Sequence, residues 1–302
     1  MKSYKKWLGI LLPLALLASC SHPDEKVPFQ GVHVVAAENF YGNLIQQIGG
    51  QHVEVTSLLS DPNVDPHEYE ADVADAKAIA RAQLIWENGG GYDSWMDKLT
   101  EGSGGSKTVV VKAFDLAVVH LNKNEHVWYS LDNDLVFVAA MNSELKKIDP
   151  KDAAYFDANT ARLTLSLQKI KERLVGLKQE FQGTPIALTE TIFLYQSQAM
   201  GLKVLTPFNF MKAVAEGNDP PAQDALEAMN QVTNRQVKAL VYNEQTVSAV
   251  TTKLLNQAAS SGIPVVPVTE TMKGASFQDW MNGQLNVLQR ALEDSTGKTK
   301  LP

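Results

Sequence analysis

Hydrophobic and polar positions along this chain alternate between two periods. Val32 to Ala37 is a short apolar run rich in β-branched residues, and the Glu38-Asn39-Phe40-Tyr41 segment after it opens a helical pattern that runs through Ile48 and stops at Gly49-Gly50. Val53 to Leu59, Gln83 to Trp86 and Val109 to Val111 predict three further strands, with helix-like runs from Ala71 to Ala82 and from Tyr92 to Leu99 between them. Strands alternating with helices predict an α/β fold in which a parallel sheet is covered on both faces.

The same order then recurs. Pro185 to Leu188, followed by Thr189-Glu190-Thr191-Ile192-Phe193 and a helix ending at Gly201, echoes the first strand, Glu38-Asn39-Phe40 and the helix ending at Gly49. Lys203 to Pro207, a loop with Asn218-Asp219-Pro220-Pro221, a helix from Ala222, and strands at Ala239 to Tyr242 and Ile263 to Val268 complete the second set. Self-similarity of this kind predicts two like lobes, residues 31–148 and 184–302, facing each other across a cleft. Between them, residues 149–183 contain the stretch Ala153 to Phe181, which has no proline and carries Leu163, Leu167, Ile170, Leu174, Leu177 and Phe181 at three- and four-residue steps. One helix of that length would be about 45 Å long and would tie both lobes together rigidly.

The first 30 residues follow a different rule. Lys2, Lys5 and Lys6 precede an apolar run, Trp7 to Leu17, that is short for a membrane span and has the layout of an export signal over residues 1–19. It ends in Leu17-Ala18-Ser19-Cys20, which resembles a bacterial lipobox, and Cys20 is the only cysteine in the chain. A lipid on Cys20 and a tether over residues 20–30 would hold the protein at a membrane on its extracytoplasmic side. Cleavage removes three lysines from a net charge of −7 and leaves −10, a poor balance for binding nucleic acid. With one cysteine there is no intrachain disulfide and no cysteine-based zinc or redox site.

Candidate chemistry gathers at the carboxyl ends of the predicted strands, where open α/β sheets bind ligands. Pro66 makes the junction at His67 rigid, and His126 lies in a polar segment before the helix from Asp132. Glu190 and Glu270 each end a strand in the second half. Two neutral imidazoles and two carboxylates around a divalent cation would sum to zero charge, which makes burial of the set tolerable. His22, His33, His52 and His120 read as solvated or structural, and Trp86, Trp95, Trp128 and Trp280 as core.

The lipobox, Asp65-Pro66-His67, His126 before Trp128, the Thr-Glu-x-x-Phe element at Glu190, the long helix and Thr269-Glu270-Thr271 together resemble the cluster A-I metal-binding lipoproteins. These are the solute-binding components of bacterial manganese, zinc or iron ABC transporters. The resemblance implies a monomer that captures a divalent transition metal and hands it to a permease driven by a cytoplasmic ATPase. It also implies that His67, His126, Glu190 and Glu270 are the metal ligands, with Glu270 standing where most members have aspartate. A glutamate at position 190 goes with manganese members, so manganese is favoured over zinc, with ferrous iron a further candidate. Glu38, placed opposite Glu190 by the repeat, or its neighbour Asn39, is expected to lie near the metal and orient a histidine N–H. The rival readings are a zinc-specific member of the family, a surface adhesin and an exported metallohydrolase. The last is disfavoured because four converging ligands leave no open catalytic position and no H-E-x-x-H motif is present.

Overall fold

A computed structural model describes residues 29–64, 66–103 and 108–297. The proposed export signal, Cys20, most of the tether and Asp65 lie outside the described residues. From Gly31 onward the described chain forms one compact unit.

The first sheet contains β1 (Val32–Glu38), β2 (Val53–Leu59), β3 (Leu84–Glu87) and β4 (Val109–Lys112), all parallel, in the order β2-β1-β3-β4. Helices α1 (Asn39–Gly49), α2 (Val73–Arg81) and α3 (Trp95–Ser103) connect these strands, and the short α4 (Ala113–Leu116) follows them. The second sheet repeats that order as β6-β5-β7-β8, with β5 (Pro185–Leu188), β6 (Lys203–Val204), β7 (Leu240–Asn243) and β8 (Val265–Val268), again all parallel. Its helices are α7 (Leu194–Ala199), α8 (Phe208–Ala215), α9 (Ala222–Thr233), α10 (Ala249–Ser260) and the C-terminal α11 (Phe277–Thr296). In each sheet the chain changes sides between the two central strands, so a topological switch point faces the other lobe's.

The repeat is looser than the sequence suggests in one place. The expected strand Lys203 to Pro207 shortens to two residues, because Thr206 turns its hydroxyl back to accept from Leu188 N (3.0 Å) and Pro207 begins α8, a helix without a partner in the first half. A second difference concerns His67. The helix-like run read from Ala71 starts at Val73, because Asp72 caps α2 by accepting from Ala74 N and Asp75 N, with Asp75 accepting in turn from Asp72 N. His67 therefore sits apart, on a one-turn 3-10 segment, Pro66–Glu68.

The first lobe ends in α5 (Leu131–Ile148), and α6 (Ala153–Phe181), an unbroken helix of 29 residues, leads on to the second. Phe156, Leu163, Leu167, Ile170, Leu174, Leu177 and Phe181 form its buried stripe. That stripe belongs to one apolar core that also holds Val34, Trp86 and Phe137 of the first lobe and Leu188, Val241 and Leu288 of the second. The lobes thus share a core as well as a connecting helix, and the site between them sits on a continuous packed base.

Candidate metal centre

His126 enters the interlobe seam at the start of a 3-10 turn, Val127–Tyr129, where Trp128 is fully buried and stacks on Phe40 at 4.6 Å between ring centroids. Trp128 also packs against Tyr92 (4.7 Å) and His126 itself (5.2 Å), so the imidazole is held by aromatic rings on one side. On the other side Asn124 Oδ1 accepts from His126 N (3.0 Å) and lies 2.9 Å from Nδ1. Asn124 Nδ2 is committed to the Thr191 carbonyl at 2.8 Å, which makes Oδ1 the acceptor and requires the proton on Nδ1. Among the described residues the buried Nε2 has no hydrogen-bond partner, and it faces Glu270 across the seam.

Glu270 lies opposite, in the turn after β8, with no exposure to solvent. Its Oε2 is 3.6 Å from His67 Nε2 and 3.7 Å from His126 Nε2. One donor atom from each of His67, His126 and Glu270 falls within a mutual 4.8 Å, close enough to share a cation. His67 is the outer corner; its side chain keeps 24 % of its accessibility while those of the other two are at 0 %. Tyr92 Oη donates to the same Glu270 oxygen at 2.9 Å. Tyr92 reaches this position from a run of three glycines in left-handed backbone, 89–91, and a Cβ at Gly90 would meet Phe114 at 2.5 Å.

Glu190, in the turn after β5 and 1 % exposed, stands beside Glu270 and is not part of the 4.8 Å cluster. Asn243 Nδ2 donates to Oε1 of both carboxylates, at 2.9 Å for Glu190 and 2.6 Å for Glu270. Thr246 Oγ1 lies 3.2 Å from Glu190 Oε2 and 3.2 Å from Glu270 Oε1. Burial and the Glu270 charge push the Glu190 carboxyl well up, against weaker opposition from His126. Burial also pushes Glu270 up, but the nearness and charge of His126, the charge of His67 and the Tyr92 hydroxyl outweigh it and hold Glu270 below the usual carboxylate range. Burial opposes charge on His126 too, and the facing Glu270 more than offsets it, so its pKa is raised. Two buried carboxylates side by side thus disfavour each other's charge, a cost that a cation between them would offset.

Of the two histidines, His126 takes its orienting partner from its own segment, in Asn124. Glu38 is buried within the first lobe, where burial and the charges of Asp93 and Glu87 raise its carboxyl well above the usual range, while Asn124 fixes His126. Asn39 crosses the seam instead, donating to the Met272 carbonyl (3.0 Å) and accepting from Met272 N (2.8 Å). Gln245 makes a parallel link, accepting from Glu270 N and Thr271 N and donating to the Val64 carbonyl in the loop that carries His67. Asn124, Asn243, Thr246, Gln245 and Tyr92 were missed by residue-type reasoning. Asn243 left one signal: it ends its lobe's third strand as Asn88 follows β3 in the other half. Of the remaining histidines, His33 pairs with Glu54 at 2.8 Å, His52 with Asp152 at 2.7 Å, and His120 packs on the Phe114 ring, all structural roles.

The chain is similar to several known proteins. The chain is 26 % identical over 213 residues to the manganese ABC transporter substrate-binding lipoprotein PsaA of Streptococcus pneumoniae, covering 65 % of this chain and 67 % of that protein. It is 25 % identical over 267 residues to the manganese-binding lipoprotein MntA of Bacillus subtilis, covering 83 % and 82 %. Its fold is similar to that of the periplasmic zinc-binding protein TroA from Treponema pallidum, with a TM-score of 0.75 at 19 % identity over 87 % of this chain and 99 % of that one. It is also similar to the solute-binding protein FpvC of Pseudomonas aeruginosa, solved with Mn2+, with a TM-score of 0.73 at 19 % identity over 88 % and 100 %. The family profile described as the periplasmic component A of the zinc-uptake complex, ZnuA, matches residues 34–291, and the chain belongs to that family.

Proposed function

We propose that this protein captures a divalent transition metal between His67, His126, Glu190 and Glu270 outside the cytoplasm and delivers it to an ABC permease coupled to a cytoplasmic ATPase. The convergence of two imidazole Nε2 atoms on Glu270 Oε2, with His126 held in the ligating tautomer, is the observation that carries the reading. Glu190, beside Glu270 in the seam, completes the set by turning a carboxylate oxygen toward the cation. Its neighbour Glu270 then supplies a second negative charge, and the charges balance. Both lobes contribute, so release follows from separating His67 and His126 from the two glutamates. A lipid on Cys20 would keep the protein near its permease, and the chain acts as a monomer without catalysis.

Manganese is the favoured cargo, on the strength of two carboxylate corners and the manganese relatives. Zinc is favoured by a different observation, the compact face of two nitrogens and one oxygen already assembled. Isothermal titration of manganese and zinc into the parent, His67→Ala and His126→Ala tests the reading. Each variant is expected to lose at least about a hundredfold in affinity, beyond the usual effect of removing a partner that only supports a ligand. Unchanged affinity in both variants would remove the basis for the proposal.

A further inference from the structure

We propose that Asn243 and Thr246 form a carboxylate clamp that sets which divalent metal this site prefers, an inference that rests on the metal-binding reading above. Asn243 closes β7 and is 1 % exposed; Thr246 follows three residues later and is 6 % exposed. Their side chains are joined, with Asn243 Nδ2 at 2.7 Å from Thr246 Oγ1. Together they face three of the four carboxylate oxygens in the seam: both oxygens of Glu190 and Oε1 of Glu270. The remaining one, Glu270 Oε2, faces the two imidazoles. The Thr246 hydroxyl has a single proton and is equidistant from the two glutamates, so it serves one of them at a time.

This arrangement presents Glu270 through one oxygen. A zinc ion, satisfied by four donors and content with imidazole, needs one oxygen from Glu190 to leave the clamp. Manganese suits a larger, oxygen-rich shell, so it must draw more carboxylate oxygens away from Asn243 and Thr246. Hydrogen bonds to charged acceptors are among the stronger ones in proteins, and each one broken weighs against the ion that requires it. The clamp therefore opposes manganese more than zinc, and it does so without touching either ion. It also answers the length of Glu270: the extra methylene, which would let a free carboxylate swing to bidentate contact, is offset by the donors that hold Oε1.

Thr246→Val removes the hydroxyl at nearly constant volume, and Thr246→Ser keeps it. Competition titrations with manganese and zinc alone, on the full chain, give the ratio of the two dissociation constants. In Thr246→Val the manganese-to-zinc Kd ratio is expected to fall about tenfold, the weight of one hydrogen bond to a charged group, while Thr246→Ser keeps the parent ratio. A ratio that stays the same or rises in Thr246→Val, including equal weakening of both metals, overturns the clamp, because support of the fold alone moves both affinities together. A shift in Thr246→Ser as large as in Thr246→Val overturns it as well. A parent chain that binds neither ion defeats the metal-binding reading itself and the clamp with it, an outcome distinct from either of these.

Discussion

Asn124 decides the chemistry of His126 before any cation arrives. Its amide is anchored by Thr191 across the seam, so its carbonyl oxygen can only accept from Nδ1–H, and Nε2 is left as the ligating nitrogen. Asn124→Ala is expected to lower metal affinity by about ten- to a hundredfold, with Asn124→Asp retaining more of it, measured by titration calorimetry. Loss of affinity no greater than that of a distant surface substitution would show that the aromatic packing of Trp128 suffices to hold the ring. Asp134, on α5, is a residue of another kind: both its oxygens are buried with no hydrogen-bond partner among the described residues, and burial alone pushes its carboxyl well above the usual range. The folded chain keeps that proton where the unfolded chain has lost it. The associated stability is complete below about pH 4, the ordinary aspartate range, and declines as pH rises toward the raised value. Asp134→Asn should match the parent in urea unfolding at pH 4 and exceed it at pH 8; a gap that does not widen between the two pH values would contradict this.

At the scale of elements, α6 is the member whose design is easiest to test. Its apolar stripe was evident from three- and four-residue spacing, and the helix spans Ala153–Phe181 as that spacing predicts. Gly176 interrupts it only in composition: its backbone is ordinary helix and a Cβ there would meet nothing within 4 Å. Gly176→Ala is expected to raise unfolding stability by about 0.5–1 kcal/mol, read from a shifted denaturant midpoint, with metal affinity unchanged. A destabilised variant would mean that α6 needs local flexibility at that turn. By contrast, the edges of elements near the site were poorly legible. Capping by Asp72 and the turn at Thr206-Pro207 depend on where side chains of neighbouring segments lie, and hydrophobic periodicity does not record that.

For the whole molecule, the shared core and the unbroken α6 limit how the lobes can part. The seam is also crossed by polar links at its loops: Asn39 with Met272, Gln245 with Val64, Asn124 with Thr191 and Tyr92 with Glu270. Loops are the parts that can rearrange while a packed core cannot deform gradually. Loading and release are therefore expected to proceed by shifts in the loops bearing His67, Glu190 and Glu270, without wide hinge opening. Small-angle scattering with and without manganese should show no measurable compaction. A marked drop in the radius of gyration on adding metal would require the shared core to split and would sink this account.

Sequence alone determined the order of strands and helices along the chain, their repetition, the long helix, and Glu190 and Glu270 as residues that directly follow strands. Those features follow from local periodicity, turn chemistry and topology, which a linear chain carries openly. Only the tertiary structure decided how these side chains meet. Tyr92 and Glu270 are 178 positions apart, and the Asn243 amide that spans both glutamates belongs to neither of their strands. Which oxygen of Glu270 faces the imidazoles, and why Glu190 lies beside Glu270 rather than within the cluster of three donors, are consequences of two lobes packing on one core. Burial and distance set those outcomes, and both come into being only when the lobes close on each other.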